Sequence, residues 1–212
     1  MRKKATNADN QQGSPSTASR SDPSETTRRS PLFKRIIKAY FLGALHDGTF
    51  SSNHRFRISQ KGTAWLIILR KLLKEIEYNS WIYKEGATRD VYVHETLASF
   101  LDFRFNPLAL KASGEKIAYV RGFFDAEGGI THRRKAPFYI QLVQKNKQKL
   151  ELLKRLLIEV RIQVGEIHNP SVRVDPEYWR MFVLAGSRQR FIRLIGSWHP
   201  RKILILNKRM VI

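Results

Sequence analysis

From Leu32 onward the apolar positions switch repeatedly between a helical and a strand period. Residues 32–50 are densely apolar, with small Gly43 and Ala44 among large side chains, and read as a buried helix. Residues 54–60, HRFRISQ, alternate Arg55, Arg57 and Ser59 against Phe56 and Ile58, the pattern of a strand with one apolar face. Residues 63–77 then place Trp65, Leu66, Leu69, Leu72, Leu73 and Ile76 at helical spacing, an amphipathic helix facing a core. Residues 80–84 and 90–94, joined across Glu85-Gly86, predict a hairpin, and residues 96–103 a short closing helix. The order is αββαββα.

A second series follows the same order. Residues 138–144 read as a strand, and residues 147–160 as an amphipathic helix through Leu150, Leu153, Leu157 and Val160. Residues 165–168 and 178–184 read as further strands, with Ser187 placed to cap the last helix. Gln60-Lys61 precedes Leu66 by the same count as Gln144-Lys145 precedes Leu150, so the repeat extends over the strand and helix. Each series ends at a proline, Asn106-Pro107 and His199-Pro200, read as a stop. The implied division is a tail over 1–30, a first unit over 31–113 and a second over 114–212.

The repeat is sharpest where each series begins. Residues 118–130, AYVRGFFDAEGGI, repeat the plan of residues 39–50, AYFLGALHDGTF: an apolar helix with small residues, then an acid followed by glycine. Gly43, Ala44, Gly122 and Ala126 would let two helices pack backbone to backbone, a seam expected to accept alanine at Gly122 but exclude leucine. If each helix ends at its acid-glycine pair, with the glycine supplying the exit turn, Asp47 and Glu127 become neighbours. Two close carboxylates repel, and a divalent cation with oxygen ligands relieves that repulsion. Gly43 lies four residues before Asp47, whereas Gly122 lies five before Glu127, which leaves the register of the first helix open.

At these residues the chain resembles the LAGLIDADG homing endonucleases of the single-chain, two-motif type. The closer match is GFFDAEGGI and the looser one FLGALHDGTF. The resemblance implies an α+β fold in which two pseudo-symmetric αββαββα units form a saddle of antiparallel sheets, with the motif helices, and so Gly43 and Gly122, at their interface. It implies a monomer that cuts both strands of DNA at a specific site across the minor groove, leaving short 3′ overhangs. Asp47 and Glu127 would bind Mg2+ or Mn2+, Gln60 and Gln144 would organise water, and Lys61, Lys145 and Lys202 would stand close to the reacting phosphates. Asp125 is not assigned to metal, because Leu45 occupies the matching place counted back from the first acid, and a structural hydrogen bond suits it better.

Composition narrows the partner. Among 212 residues, 39 Lys and Arg against 18 Asp and Glu give a formal charge of +21, which points to a polyanion such as double-stranded DNA. No apolar run approaches the roughly 20 residues that span a bilayer, and the basic start carries no apolar signal core. The absence of cysteine removes thiolate zinc sites and cysteine nucleophiles, and suits an intracellular setting, cytoplasm, nucleoid or organelle. Residues 1–30 are too poor in apolar side chains to offset the entropy of ordering. On the strand faces opposite the core, Arg55, Arg57 and Ser59 in the first unit and Tyr139 and Gln141 in the second would meet DNA, with Arg133, Arg134 and Arg180 adding phosphate contacts. The same scaffold and charge also suit an RNA-binding intron maturase, or a DNA-binding regulator without cleavage. Retention of both acids favours the nuclease.

Overall fold

The computed structural model describes residues 30–51, 53–131 and 136–210. Helix α1 (Pro31–Ala44) starts where Ser30 Oγ accepts from Phe33 N, with proline at a position that needs no donor. A 3-10 turn (Leu45–Asp47) leads into β1 (Gly48–Phe50), then β2 (Phe56–Lys61), α2 (Ala64–Glu75), β3 (Ser80–Lys84) and β4 (Val91–Thr96). The second series runs α3 (Ser113–Glu127), β5 (Gly128–Ile130), β6 (Ile140–Gln144), α4 (Lys147–Glu159), β7 (Trp179–Phe182), α5 (Arg188–Leu194) and α6 (Pro200–Met210). Both sheets are antiparallel, ordered β1-β2-β4-β3 and β5-β6-β7.

The apolar stripes land where their period puts them. Phe56 and Ile58 are buried under β2, and Trp65, Leu66, Leu69 and Leu73 under α2. Leu150, Leu153, Leu156 and Leu157 do the same for α4, and one continuous core joins both series through α1 and α3. Helix α3 buries Ala118, Tyr119, Val120, Gly122, Phe123, Phe124 and Asp125 on nearly every side, as suits a helix at the centre of the molecule.

The seam between α1 and α3 is symmetric. A Cβ at Gly43 would lie 2.8 Å from Phe123 N and closer still to Tyr119 O. One at Gly122 would lie 2.9 Å from Ala44 N and closer still to Tyr40 O. Each glycine thus meets the carbonyl three residues before its counterpart, and the atoms it meets are backbone, which cannot swing away. Alanine at Gly122 therefore forces the helices apart, as leucine does, a correction to the seam as read from the sequence.

This contact also fixes the open register. Five α-helical residues from Gly122 to Glu127 rise about 7.5 Å. From Gly43 to Asp47, one α-helical step followed by three of the 3-10 turn rises about 7.5 Å as well. The tighter, longer-pitched turn makes up for the missing residue and brings the shorter motif's acid level with its partner.

Several expected features are absent or different. Residues 97–103 form turns, because Thr96 Oγ1 accepts from Ala98 N and Asp102 Oδ1 from Arg104 N, local bonds that compete with a helix. Among the described residues the second sheet has three strands; the expected strand at 165–168 is reduced to isolated bridges, Val164 with Val183 and His168 with Arg180. Pro107 and Pro200 open a 3-10 turn and α6 rather than ending a unit. Ser187 does not cap α5, since its Oγ accepts from Gln163 N. Gly48 and Gly128 are extended, at φ −104 and −79, so they supply no left-handed exit turn. They are needed for space: a Cβ on Gly48 would lie 2.5 Å from Phe56 Cζ and closer still to Cε2, and one on Gly128 2.7 Å from Phe124 Cε2 and closer still to Cδ2 and to the Phe124 carbonyl oxygen.

Candidate active site

The glycine seam delivers Asp47 and Glu127 side by side at the ends of α1 and α3. Burial raises the Asp47 carboxyl to about 6, against a hydrogen bond from Gln60 and the Lys202 charge, which pull it down. Burial and then repulsion from Asp47 raise Glu127 to about 7, again opposed by Lys202. Burial disfavours the charged form of each acid, and at Glu127 the neighbouring Asp47 charge adds to it. Among the described residues no group of three or more His, Asp and Glu side chains is gathered to bind a metal. Two hard-oxygen carboxylates that resist ionising together nevertheless fit a shared divalent cation whose other ligands come from phosphate and water.

Lys202 reaches the site from α6. Its Nζ donates to the Phe124 and Asp125 carbonyls, satisfying the carboxyl end of α3, and burial lowers its ammonium to about 8 despite Asp125, Asp47 and Glu127. Gln60, at the end of β2, donates Nε2 to Asp47 Oδ2 at 2.6 Å. Exposed Lys61 follows it, and Gln60, Lys61 and Lys202 line a cleft of about 500 Å³ together with Trp65 and His199, whose rings stack at 5.3 Å. The other glutamine is placed differently. Gln144 at the end of β6 puts Nε2 3.3 Å from His46 Nδ1, while exposed Lys145 donates its backbone N–H to Gln144 Oε1.

Asp125 is structural. It is 2% exposed and accepts from Tyr40 Oη at 2.8 Å, from Trp198 N at 2.8 Å and from Ser197 Oγ. Tyr40 Oη in turn accepts from Trp65 Nε1 at 2.9 Å, so one carboxylate ties α1, α2, α3 and the turn before α6 together. Across the seam, His46 Nε2 lies 2.9 Å from Tyr119 Oη. Measured from the two glycines, His46 and Asp125 hold the same position, and each bonds the tyrosine of the opposite helix. Counting back from the acids had set Leu45 there instead.

The sheet faces away from the core combine cations with aromatic rings. Arg57 pairs across the ladder with Glu95, and Glu95 with Trp81; Ser59 pairs with Val93, and Val93 with Tyr83. Arg55 bridges to Glu95 at 3.7 Å and lies over Trp81 at 5.8 Å, while Arg57 donates to Tyr83 Oη at 3.2 Å and bridges to Glu85 at 3.5 Å. Trp81 and Tyr83 remain 46% and 40% exposed. In the second sheet Gln141 pairs with Phe182 and Val143 with Arg180. Arg180 lies 5.1 Å over Phe182 and donates to His168 Nε2 at 3.1 Å; Tyr139 meets the same Phe182 edge-on at 5.7 Å. Trp81, Tyr83, His168 and Phe182 went unnoticed in the sequence, although SWIYK and WRMF carry the alternation that turns Trp81, Tyr83 and Phe182 to that face. Arg133 and Arg134 lie outside the described residues.

Residues 114–196 match the family model described as LAGLIDADG-like domain. Homing endonuclease I-ApeI of Aeropyrum pernix is 29% identical over 198 residues, covering 80% of this chain and 85% of that protein. Among solved structures, mesophilic variants from the homing endonuclease I-DmoI align with a TM-score of 0.63 at 20% identity, over 82% of this chain and 98% of theirs. I-DmoI in complex with DNA and Mn gives 0.57 at 22% identity, over 78% and 99%. Full-length DUF199/WhiA from Thermatoga maritima gives 0.60 at 18% identity, over 89% of this chain and 66% of that one. At these identities the structural matches establish the fold.

Proposed function

We propose that this chain, whose residues 114–196 are a LAGLIDADG-like domain and whose fold is that of the single-chain LAGLIDADG homing endonucleases, is itself a site-specific DNA endonuclease that hydrolyses both strands. The observation that carries the reading is the meeting of Asp47 and Glu127 at the end of a glycine seam, with Lys202 beside them. Fold alone would not suffice, since one fold hosts many functions.

In this reading Asp47 and Glu127 hold Mg2+ or Mn2+, which when bound stabilises the attacking and leaving oxygens of a phosphodiester. Gln60, fixed on Asp47, directs its amide toward water at that acid. Lys202 stays largely protonated at neutral pH and offsets the charge of two acids and a phosphate. Lys61 and Lys145 stand exposed beside the glutamines, where they would contact backbone phosphates. The arginine and aromatic faces of the two sheets would lie on the duplex, with Arg55, Arg57, Ser59, Tyr139, Gln141 and Arg180 divided between phosphate and base contacts. Cutting across the minor groove with short 3′ overhangs, by a monomer, completes the proposal.

The test is incubation with a plasmid library of candidate insertion sites and Mg2+, followed by sequencing of the ends. A single recurrent site with staggered ends is expected, and Asp47→Asn or Glu127→Gln should abolish double-strand cutting while duplex binding persists. Robust cutting by either variant would remove the two acids from the reaction. Preference for structured intron RNA over duplex in competition would favour the maturase reading.

A further inference from the structure

The two halves of the site are not equivalent. On one side the Gln60 amide already lies on its acid. On the other, both ends of the Gln144 amide are engaged elsewhere: Nε2 with His46 Nδ1, Oε1 with the Lys145 N–H. Glu127 receives no comparable bond from the described residues; the charges of Asp47 and Lys202 are what act on it.

His46 can hold Gln144 because its ring is fixed. It is three residues past Gly43, packs 4.7 Å from the Phe123 ring, and has Tyr119 Oη at 2.9 Å from Nε2. A glutamine nitrogen only donates, so Nδ1 must be the acceptor and the ring proton sits on Nε2, toward Tyr119. The equivalent residue in the other half, Asp125, spends its oxygens on Tyr40, Ser197 and Trp198 and leaves Gln60 free to reach Asp47. A second difference points the same way. Lys202 stands two residues after Pro200, whereas the residue two after Pro107 is Ala109, which carries no charge.

We propose that His46 is a positioning residue that sets the order of strand cutting, by holding the Gln144 amide away from Glu127. The inference rests on the endonuclease reading above. The strand served by Gln60 and Lys202 is cut first; the second strand waits until Gln144 leaves His46. One neutral hydrogen bond corresponds to roughly threefold to tenfold in an equilibrium, so the first strand should be cut about that much faster, and a nicked intermediate should accumulate.

The experiment uses the full chain, the target recovered from the library, and duplexes end-labelled on either strand, with Mg2+. The unmodified protein should show the rate difference; equal strand rates would overturn the inference while leaving the endonuclease intact. No cut at all would remove both. His46→Leu, which fills much of the space without an acceptor, should speed the slow strand by roughly threefold to tenfold and narrow the difference to what the Lys202 side contributes. His46→Asn, whose side-chain oxygen can replace Nδ1, should retain the difference. Should His46→Leu not fold, Tyr119→Phe keeps the packing but drops the bond that aims the ring, and should narrow the difference in the same direction. A strand ratio unmoved by either His46→Leu or Tyr119→Phe, or lost equally in His46→Asn, refutes the role of His46.

Discussion

Replacing Gly122 by alanine adds one carbon where α1 and α3 meet backbone to backbone. That carbon would sit 2.9 Å from Tyr40 C and from Ala44 N, with Tyr40 O nearer still. Carbon atoms rest about 3.5–4.0 Å apart, so α1 must retreat by about 0.6–1.1 Å for the carbonyl carbon alone, and by more for the oxygen. No side chain can rotate to spare it, because every atom met is backbone. Overpacking of this kind costs about 1–3 kcal/mol. In a domain of this size that lowers the melting temperature by about 2–12 °C. The functional cost is larger, because Asp47 and Glu127 ride on the two helices being separated, and a misplacement of about 1 Å can cost on the order of 10²-fold in rate. Gly43→Ala, facing Tyr119 and Phe123 in the mirror arrangement, should behave alike. The check is calorimetric melting together with cleavage of the selected target. An alanine variant that melts and cuts like the parent would mean that the helices do not meet at these glycines, and the shared acid site built on that contact would fall.

In metal-free buffer the raised carboxyls of Glu127 and Asp47 contribute stability that is lost as pH rises from about 4 to about 7, since the folded state binds protons that the unfolded chain has already released, while His46, His94 and His199, which burial lowers to about 3, 4 and 4, contribute a slope of opposite sign. Glu127→Gln should remove the larger part of the carboxyl slope; melting curves of parent and variant that stay parallel from pH 4 to 8 would contradict it. Tyr40→Phe leaves Trp65 Nε1 without its acceptor and Asp125 without one donor, and should cost about 1–3 kcal/mol in urea denaturation; a loss within error would show that the network is slack. Affinity for duplex DNA should fall by roughly 10³–10⁵ between about 50 and 200 mM salt, if about 6–10 phosphates are neutralised, and a flat titration would point to another ligand.

The order of elements was legible because helix and strand periods differ and each buried stripe needs a partner. Asp47 and Glu127 were legible because a repeated acid-glycine pair is improbable by chance on two unrelated helices. Other features depended on local competition that periodicity does not report. Residues 97–103 have the apolar spacing of a helix, yet Thr96 and Asp102 offer their oxygens to nearby N–H groups and win. Pro107 and Pro200 look alike whether a helix stops or starts there, and only the path of the following chain decides.

What the sequence determined by itself was the duplication, the two acids, the basic surface and the residues small enough for a seam. The tertiary structure decided the register, because only the contact of Gly43 with Tyr119 and of Gly122 with Tyr40 shows which turns face each other. From that register follow the match of His46 with Asp125, the bond from Gln60 to Asp47 and the loss of Gln144 to His46. Spacing along one helix says which residues share a face; which atom lies within 3 Å of it across a seam depends on how two backbones dock, and that is a property of the packed pair.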